Sequence, residues 1–194
     1  MRVLVITANP KPAQFSVSLT TMSKFVELFG KNNTDAEFIY KDVSEYPHLS
    51  GNDLRDYRNP EGEVAKVAKE FASYDRYIFV SPMWNLSIPS GMKAYIDHLV
   101  IPEVTFTYAD RNPKPVGLIK NKKALFITSS GGHFGVPPMN EWDHNVLFMK
   151  HILDHMGIED FTPLYIPIAH RGGVQAQERV NQEMGLITEI AKSW

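Results

Sequence analysis

The chain has 194 residues, 43% of them hydrophobic and 22% charged, with a net charge of −2. That is enough for one domain with a sizeable core, and it supplies no global basic field for nucleic acid. The absence of cysteine excludes a disulfide framework, thiol catalysis and Cys-ligated metal centres, and it fits a reducing cytosol. The opening MRVLVITANP turns polar too soon for a signal peptide, and no run approaches the roughly 20 apolar residues of a membrane helix. The expectation is one cytoplasmic domain over residues 1–194.

Val3 to Ile6 reads as a buried strand, followed by a polar loop to Ser18. A helix from about Ser18 to Leu28 sets Leu19, Met22, Phe25, Val26 and Phe29 on one face. Phe38 to Tyr40 is a short second strand. Residues 43–62 are rich in turn formers and form a surface excursion with room for one helical turn. Glu61 to Phe71 is a helix with Val64, Val67, Ala68 and Phe71 inward.

Tyr77 to Ser81 is a third strand, apolar enough to be buried on both faces. Met83, Trp84, Asn85 and Leu86 then form an apolar loop with one amide in the middle. Pro89 opens a helix running to about Val100. Residues 103–118 alternate β-branched and aromatic positions around the turn material Asp110 to Pro113, which predicts an inserted hairpin. Ala124 to Thr128 is the fourth main strand and ends at Ser129-Ser130-Gly131-Gly132. A helix over 142–157 is stopped by Gly157, a strand follows from Asp160 to Ile166, and a last helix runs from about Val174 to Lys192.

Strands alternating with helices imply an α/β fold with a doubly wound parallel sheet. Five such strands suggest the flavodoxin-like order 2-1-3-4-5, with ligands at the loops after strands one, three and four. Those loops are 9–18, 82–88 and 129–135.

The first loop lacks the glycine patterns of a P-loop or a dinucleotide fold. Ser16 and Ser18 stand where a helix begins, and they either cap that helix or hold a phosphate with its free N–H groups. Met83, Trp84 and Leu86 are either core anchors or the bed for a flat ring with polar edges, such as a flavin; backbone around Asn85 suits the edge of such a ring. Paired glycines at 131–132 serve a plain turn or let backbone approach a ligand, and the hydroxyls of Ser129 and Ser130 precede them. His133 beside them is either a solvent-facing loop residue or a proton donor. His151 and His155 lie four apart on a helix, but HExxH is missing and a solvated face explains them, so no metal site is expected. His170 to Gly173 reads as a loop before the last helix, in which Arg171 is either a plain loop residue or a partner for a nucleotide phosphate.

At these places the sequence resembles the FMN-dependent NADH:azoreductases, a branch of the flavodoxin-like quinone reductases. The matching segments are Pro82 to Pro89 continuing through Lys93-Ala94-Tyr95-Ile96-Asp97, then Thr105 to Tyr108, Gly117 to Ile119 before Lys122-Lys123, Ser16 to Ser18, and Ser129 to Gly132. The resemblance covers nearly the whole chain in order. It implies a homodimer with FMN at the subunit interface, NADH or NADPH as donor, and a quinone or azo compound as acceptor. It assigns the phosphate to Asn9, Ser16, Val17 and Ser18, the ring to Met83, Trp84, Asn85 and Leu86, and the pyrimidine side to Ser129, Ser130, Gly131 and Gly132. Asn9 departs from the more usual serine, and Ser130 stands where some members carry arginine. Phe106, Tyr108 and His133 are expected to face the acceptor, with dimer contact as the other reading of Phe106 and Tyr108. The competing expectations are a flavin or nitro-compound reductase, a flavodoxin-type electron carrier, and a regulator without its cofactor.

Overall fold

A computed structural model describes residues 1–108, 114–169 and 176–194. The expected turn at Asp110 to Pro113, the loop His170 to Gly173 and the helix start at Val174 lie outside the described residues. Five strands, β1 (Arg2–Thr7), β2 (Glu37–Asp42), β3 (Arg76–Pro82), β6 (Lys123–Ser129) and β7 (Asp160–Ile166), form one sheet in the order β2-β1-β3-β6-β7. Every pairing in it is parallel, so the expected 2-1-3-4-5 order holds once the hairpin strands are set aside. Those two, β4 (Phe106–Thr107) and β5 (Val116–Gly117), pair antiparallel by themselves, as the inserted hairpin requires.

Successive strand residues serve opposite faces of the sheet. Leu4, Ile6, Tyr77, Phe79, Ala124 and Phe126 pack with Met92, Tyr95 and Ile96 of α4 (Ser90–Asp97) and Met149, Leu153 and Met156 of α5 (His144–Met156). Val3, Val5, Ile78, Val80, Leu125 and Ile127 face the other way, against Phe25 and Phe29 of α1 (Val17–Asn32) and Ile187 and Ala191 of α7 (Met184–Ser193). The excursion after β2 contains one short helix, α2 (Gly51–Asp56), started by a Ser50–Asp53 capping box. Helix α3 (Glu63–Ala72) buries Val64, Ala68 and Phe71.

Boundaries shift where caps decide them. Helix α1 continues to Asn32 because Gly30 is tolerated against the Phe38 ring, 3.5 Å from where a Cβ would stand. Helix α5 starts at Asp143, whose carboxylate accepts the N–H groups of Asn145 and Val146, and ends at Gly157 in the left-handed region, φ 99°. The expected single last helix is two, α6 (Ala176–Gln182) and α7. The chain leaves helical geometry at Glu183 (φ −102°, ψ 8°), where its N–H bonds Val180 O in a tighter i→i−3 turn just before Gly185.

The hairpin is fixed to the amino edge of the sheet. Ile119 N–H bonds Met156 O at 2.9 Å, and a Cβ added at Gly117 would stand 2.1 Å from Gly157 N and 2.4 Å from its Cα. Both partners are backbone and cannot give way. Gly117→Ala should therefore cost about 1–3 kcal/mol by overpacking, read as a lower midpoint in urea unfolding with an unchanged slope.

Candidate functional site

Strands β1, β3 and β6 are neighbours, so their three following loops emerge side by side at the carboxyl edge. Between them lies a cleft of about 230 Å³. Of the expected residues, Asn9, Ser16, Val17, Met83, Trp84, Ser129, Ser130 and Gly131 line it. Ser18 is fully buried behind Ser16, their hydroxyl oxygens 3.3 Å apart. Asn85 is exposed and Leu86 half-buried on the turn beyond Trp84.

The first loop ends in a single 3₁₀ turn, Ala13–Phe15, and Ser16 caps α1 by accepting Leu19 N–H at 3.2 Å. The capping reading is therefore correct for Ser16, yet the residue also faces the cleft. The N–H groups of Val17 and Ser18 in that first turn have no intrahelical acceptor, and the helix dipole favours an anion there. Asn9 reaches across to Ser16 Oγ at 2.6 Å.

The second loop is a tight two-residue reversal. Trp84 N–H bonds Ser87 O at 2.7 Å and Ser87 N–H bonds Trp84 O at 3.1 Å. Asn85 and Leu86 between them take positive φ, 48° and 70°. Trp84 is left 57% exposed, so its indole is free surface rather than a core anchor. Asn85 N–H has no protein acceptor among the described residues.

The third loop is tied to β7. Ser130 Oγ donates to Gly132 O at 2.7 Å and lies 2.6 Å from Tyr165 Oη. Tyr165 Oη also lies 3.3 Å from Gly132 O, so the two hydroxyl protons are shared among these three oxygens, the shorter contact favouring the serine on the carbonyl and the tyrosine on the serine. Tyr165 Oη in turn accepts Phe134 N–H at 2.9 Å. The Ser130 hydroxyl is thus spent on the loop itself, and the loop's free donors toward a ligand are backbone. A Cβ at Gly131 would meet nothing within 4 Å, which leaves a flat open approach.

Besides Ser18, Asn85 and Leu86, four expected residues do not line the cleft: Gly132, half-buried, and the three expected to face the acceptor. His133 is exposed and sits edge-on to Tyr165, ring centres 6.3 Å apart. Phe106 is only 4% exposed and packs on His155 at 4.5 Å; Tyr108, 69% exposed, stacks edge-on to Phe106. Their place within this chain is against α5, not in the cleft. His155 serves that contact, and no group of three metal-ligating side chains occurs among the described residues.

The sequence reading missed Pro10, Lys11, Phe15, Pro82 and Ala169 as lining residues. Phe15 was legible as an apolar residue stranded in a polar loop, and it is 56% exposed at the rim. Tyr165 was read only as part of a strand. Taken together, the site offers hydroxyls and a helix start at one end, an exposed indole and an open glycine at the other. That donor set fits a phosphorylated ligand with a flat heteroaromatic ring, and FMN is such a ligand.

Tyr165→Phe leaves Phe134 N–H and Ser130 Oγ each short of a partner. It should cost about 1–3 kcal/mol, seen as faster hydrogen exchange over residues 130–134 and a lower unfolding midpoint.

A family model described as a flavodoxin-like fold matches residues 1–187. An FMN-dependent NADH:quinone oxidoreductase of Photobacterium profundum is 38% identical over 165 residues, covering 83% of each chain. One from Caldicellulosiruptor saccharolyticus is 32% identical over 199 residues, covering 98% of each. Among solved structures, an FMN-dependent NADH-azoreductase from Bacillus anthracis in complex with FMN superposes with a TM-score of 0.84 at 22% identity, covering 99% of this chain and 98% of that one, a likeness of fold. By fold and by sequence, the chain belongs to the flavodoxin-like family of the FMN-dependent NADH:quinone oxidoreductases.

Proposed function

We propose that this protein is a cytoplasmic, homodimeric FMN-dependent oxidoreductase that takes electrons from NADH, reduces quinones to hydroquinones and cleaves aromatic azo bonds to amines. The observation that carries the reading is the convergence of Ser16 and Val17, Met83 and Trp84, and Ser130 and Gly131 on one cleft at the carboxyl edge. Membership of the family, whose relatives are named for FMN, NADH and quinone, supports the same chemistry.

Ser16, Ser18 and the first-turn N–H groups of α1 would hold the phosphate, with Asn9 beside them. Met83, Trp84, Asn85 and Leu86 would take the ring, and the backbone of Ser129 to Gly132 its pyrimidine side. When bound, FMN would supply the redox chemistry, carrying an electron pair from NADH to the acceptor in the alternating half-reactions of a ping-pong cycle. The protein's own part is to bind, orient and leave one face open for both partners in turn. No side chain has to act as nucleophile, which suits a chain without cysteine. Protons would reach the reduced acceptor from water, since His133 lies outside the cleft.

The dimer is supported by surface chemistry. Phe148, His151, Ile152 and His155 line a shallow groove on the outer face of α5, continuous through His155 with Phe106 and Tyr108. Leu147, half exposed, flanks that face. Exposed apolar surface of this kind marks protein contacts.

Among the described residues no helix is long and apolar enough to cross a membrane. An electron carrier of flavodoxin type has no use for direct NADH turnover, and that is the discriminating measurement. The purified protein with FMN should show flavin absorption and oxidise NADH with menadione and with methyl red. Methyl red should consume twice as much NADH per azo bond as menadione does per quinone, because each hydride carries one electron pair. NADH oxidation that appears only with an added partner reductase would overturn the reading. Phe148→Glu should shift the species in light scattering to half the mass, and an unchanged mass would remove α5 from the interface.

A further inference from the structure

The hydroxyls at the head of α1 have a direction that hydrogen-bond counting fixes. Asn9 Oδ1 accepts Lys11 N–H at 3.1 Å. A backbone N–H can only donate, so the amide cannot be flipped and Nδ2 faces the serines. Nδ2 lies 2.6 Å from Ser16 Oγ and 3.4 Å from Ser18 Oγ. Ser16 Oγ also accepts Leu19 N–H at 3.2 Å.

A hydroxyl oxygen has two acceptor sites and one proton. Both acceptor sites of Ser16 are filled, one by Leu19 and one by Asn9. Its proton must be donated. Ser18 Oγ stands 3.3 Å away, longer than an ordinary O–H···O bond. If that contact forms, it runs only from Ser16 to Ser18, and the Ser18 proton is then the one left over. In either arrangement the buried pair keeps a hydroxyl proton that no protein oxygen takes among the described residues. The 3.3 Å contact is too long to hold the Ser16 proton firmly, and Ser16 lines the cleft while Ser18 stands behind it, so the donor that meets the ligand side is the Ser16 hydroxyl.

From this we infer that Asn9 is a positioning residue that sets the polarity of the serine pair, making the site select a flavin ending in phosphate over one ending in an alcohol. The inference rests on the phosphate lying at this loop. A phosphate dianion only accepts, and charge-assisted bonds to it are about twice as strong as neutral ones. Donors pre-turned toward it lose no orientation on binding. Without the amide, a serine proton can turn inward, and each serine can present a lone pair that repels the phosphate. A terminal alcohol can answer either polarity by rotating, so its binding is insensitive to Asn9.

The test measures dissociation constants of FMN and riboflavin by quenching of flavin fluorescence. The proteins are the flavin-stripped wild type, Asn9→Ala, the Ser16→Ala/Ser18→Ala pair, and the triple variant. The wild type should prefer FMN. Asn9→Ala should lower the FMN-to-riboflavin preference about tenfold, and the serine pair should lower it further. Because Asn9 acts through the serines, adding Asn9→Ala to the serine pair should change the preference no more. An undiminished tenfold factor in that background would mean that the amide touches the phosphate directly, and would overturn the inference. So would an Asn9→Ala protein with unchanged preference. A serine pair that leaves the preference at its wild-type value would instead remove the phosphate from this loop, and the inference with it. If Asn9→Ala melts well below the wild type, Asn9→Ser keeps one small donor and should fall between the two in preference; a preference no higher than that of Asn9→Ala would count against the role.

Discussion

The site depends on a ladder that runs past the ends of its strands. Val43 N–H bonds Thr7 O at 2.7 Å, Ala8 N–H bonds Val80 O at 2.9 Å, Met83 N–H bonds Ser129 O at 2.7 Å, and Ser130 N–H bonds Ile166 O at 3.2 Å. The first residue of each loop is therefore still held by the neighbouring strand. Strands in one sheet lie about 4.8 Å apart, so the loops after β1, β3 and β6 leave within about 10 Å of one another. Sequence-distant hydroxyls, aromatic surface and glycines are brought together by backbone pairing alone. The side chains of the cleft inherit their positions from the two apolar faces that hold the sheet.

The turn at 84–87 shows where that rigidity is spent. Left-handed backbone at a non-glycine residue costs on the order of 1–2 kcal/mol, and Leu86 at φ 70° has no side-chain bond to offset it. Asn85 tolerates the region better. In return Trp84 and Ser87 exchange both their backbone bonds, and Ile88, the next residue, is buried. The reversal sets an indole upright between a sheet end and a helix start and keeps Asn85 N–H unspent. A turn relaxed with glycine would be cheaper, but it would not need to follow a buried strand so closely. Strain of this kind is carried where geometry matters to a ligand.

The fold was legible because the strands announce themselves. Runs such as Val3 to Ile6 and Tyr77 to Val80 have no polar interruption, and their alternate residues divide between two helix layers. The helix stop at Gly157 was legible for the same local reason, whereas the start set by the Asp143 cap was not. What stayed hidden depends on contacts between distant residues. Tyr165 looks like any strand aromatic until β7 lies beside β6 and its hydroxyl reaches Ser130 and Phe134. The Ser130 hydroxyl reads as a ligand donor in sequence and is a loop tie in space. The break at Glu183 is hidden too, since apolar spacing continues through it from Val180 to Ile187.

The hairpin follows from the same directional logic. In a parallel sheet each helix returns the chain to the amino edge before the next strand begins. Helix α5 leaves the carboxyl edge after β6 and delivers Met156 and Gly157 to the opposite edge, where β7 starts at Asp160. Thirteen helical residues span about 20 Å. The hairpin is held at the far end of that span by the Ile119–Met156 hydrogen bond, the close backbone approach of Gly117 to Gly157 and the ring contact of Phe106 with His155. Phe106 and Tyr108 are thus separated from their own chain's cleft by about the length of a helix, and no rotamer change closes that gap. Any part these rings play beside an acceptor has to be played in the cleft of a second copy, which the proposed dimer through the outer face of α5 would supply. The two expectations for the hairpin, acceptor wall and dimer contact, are then not alternatives: the first requires the second.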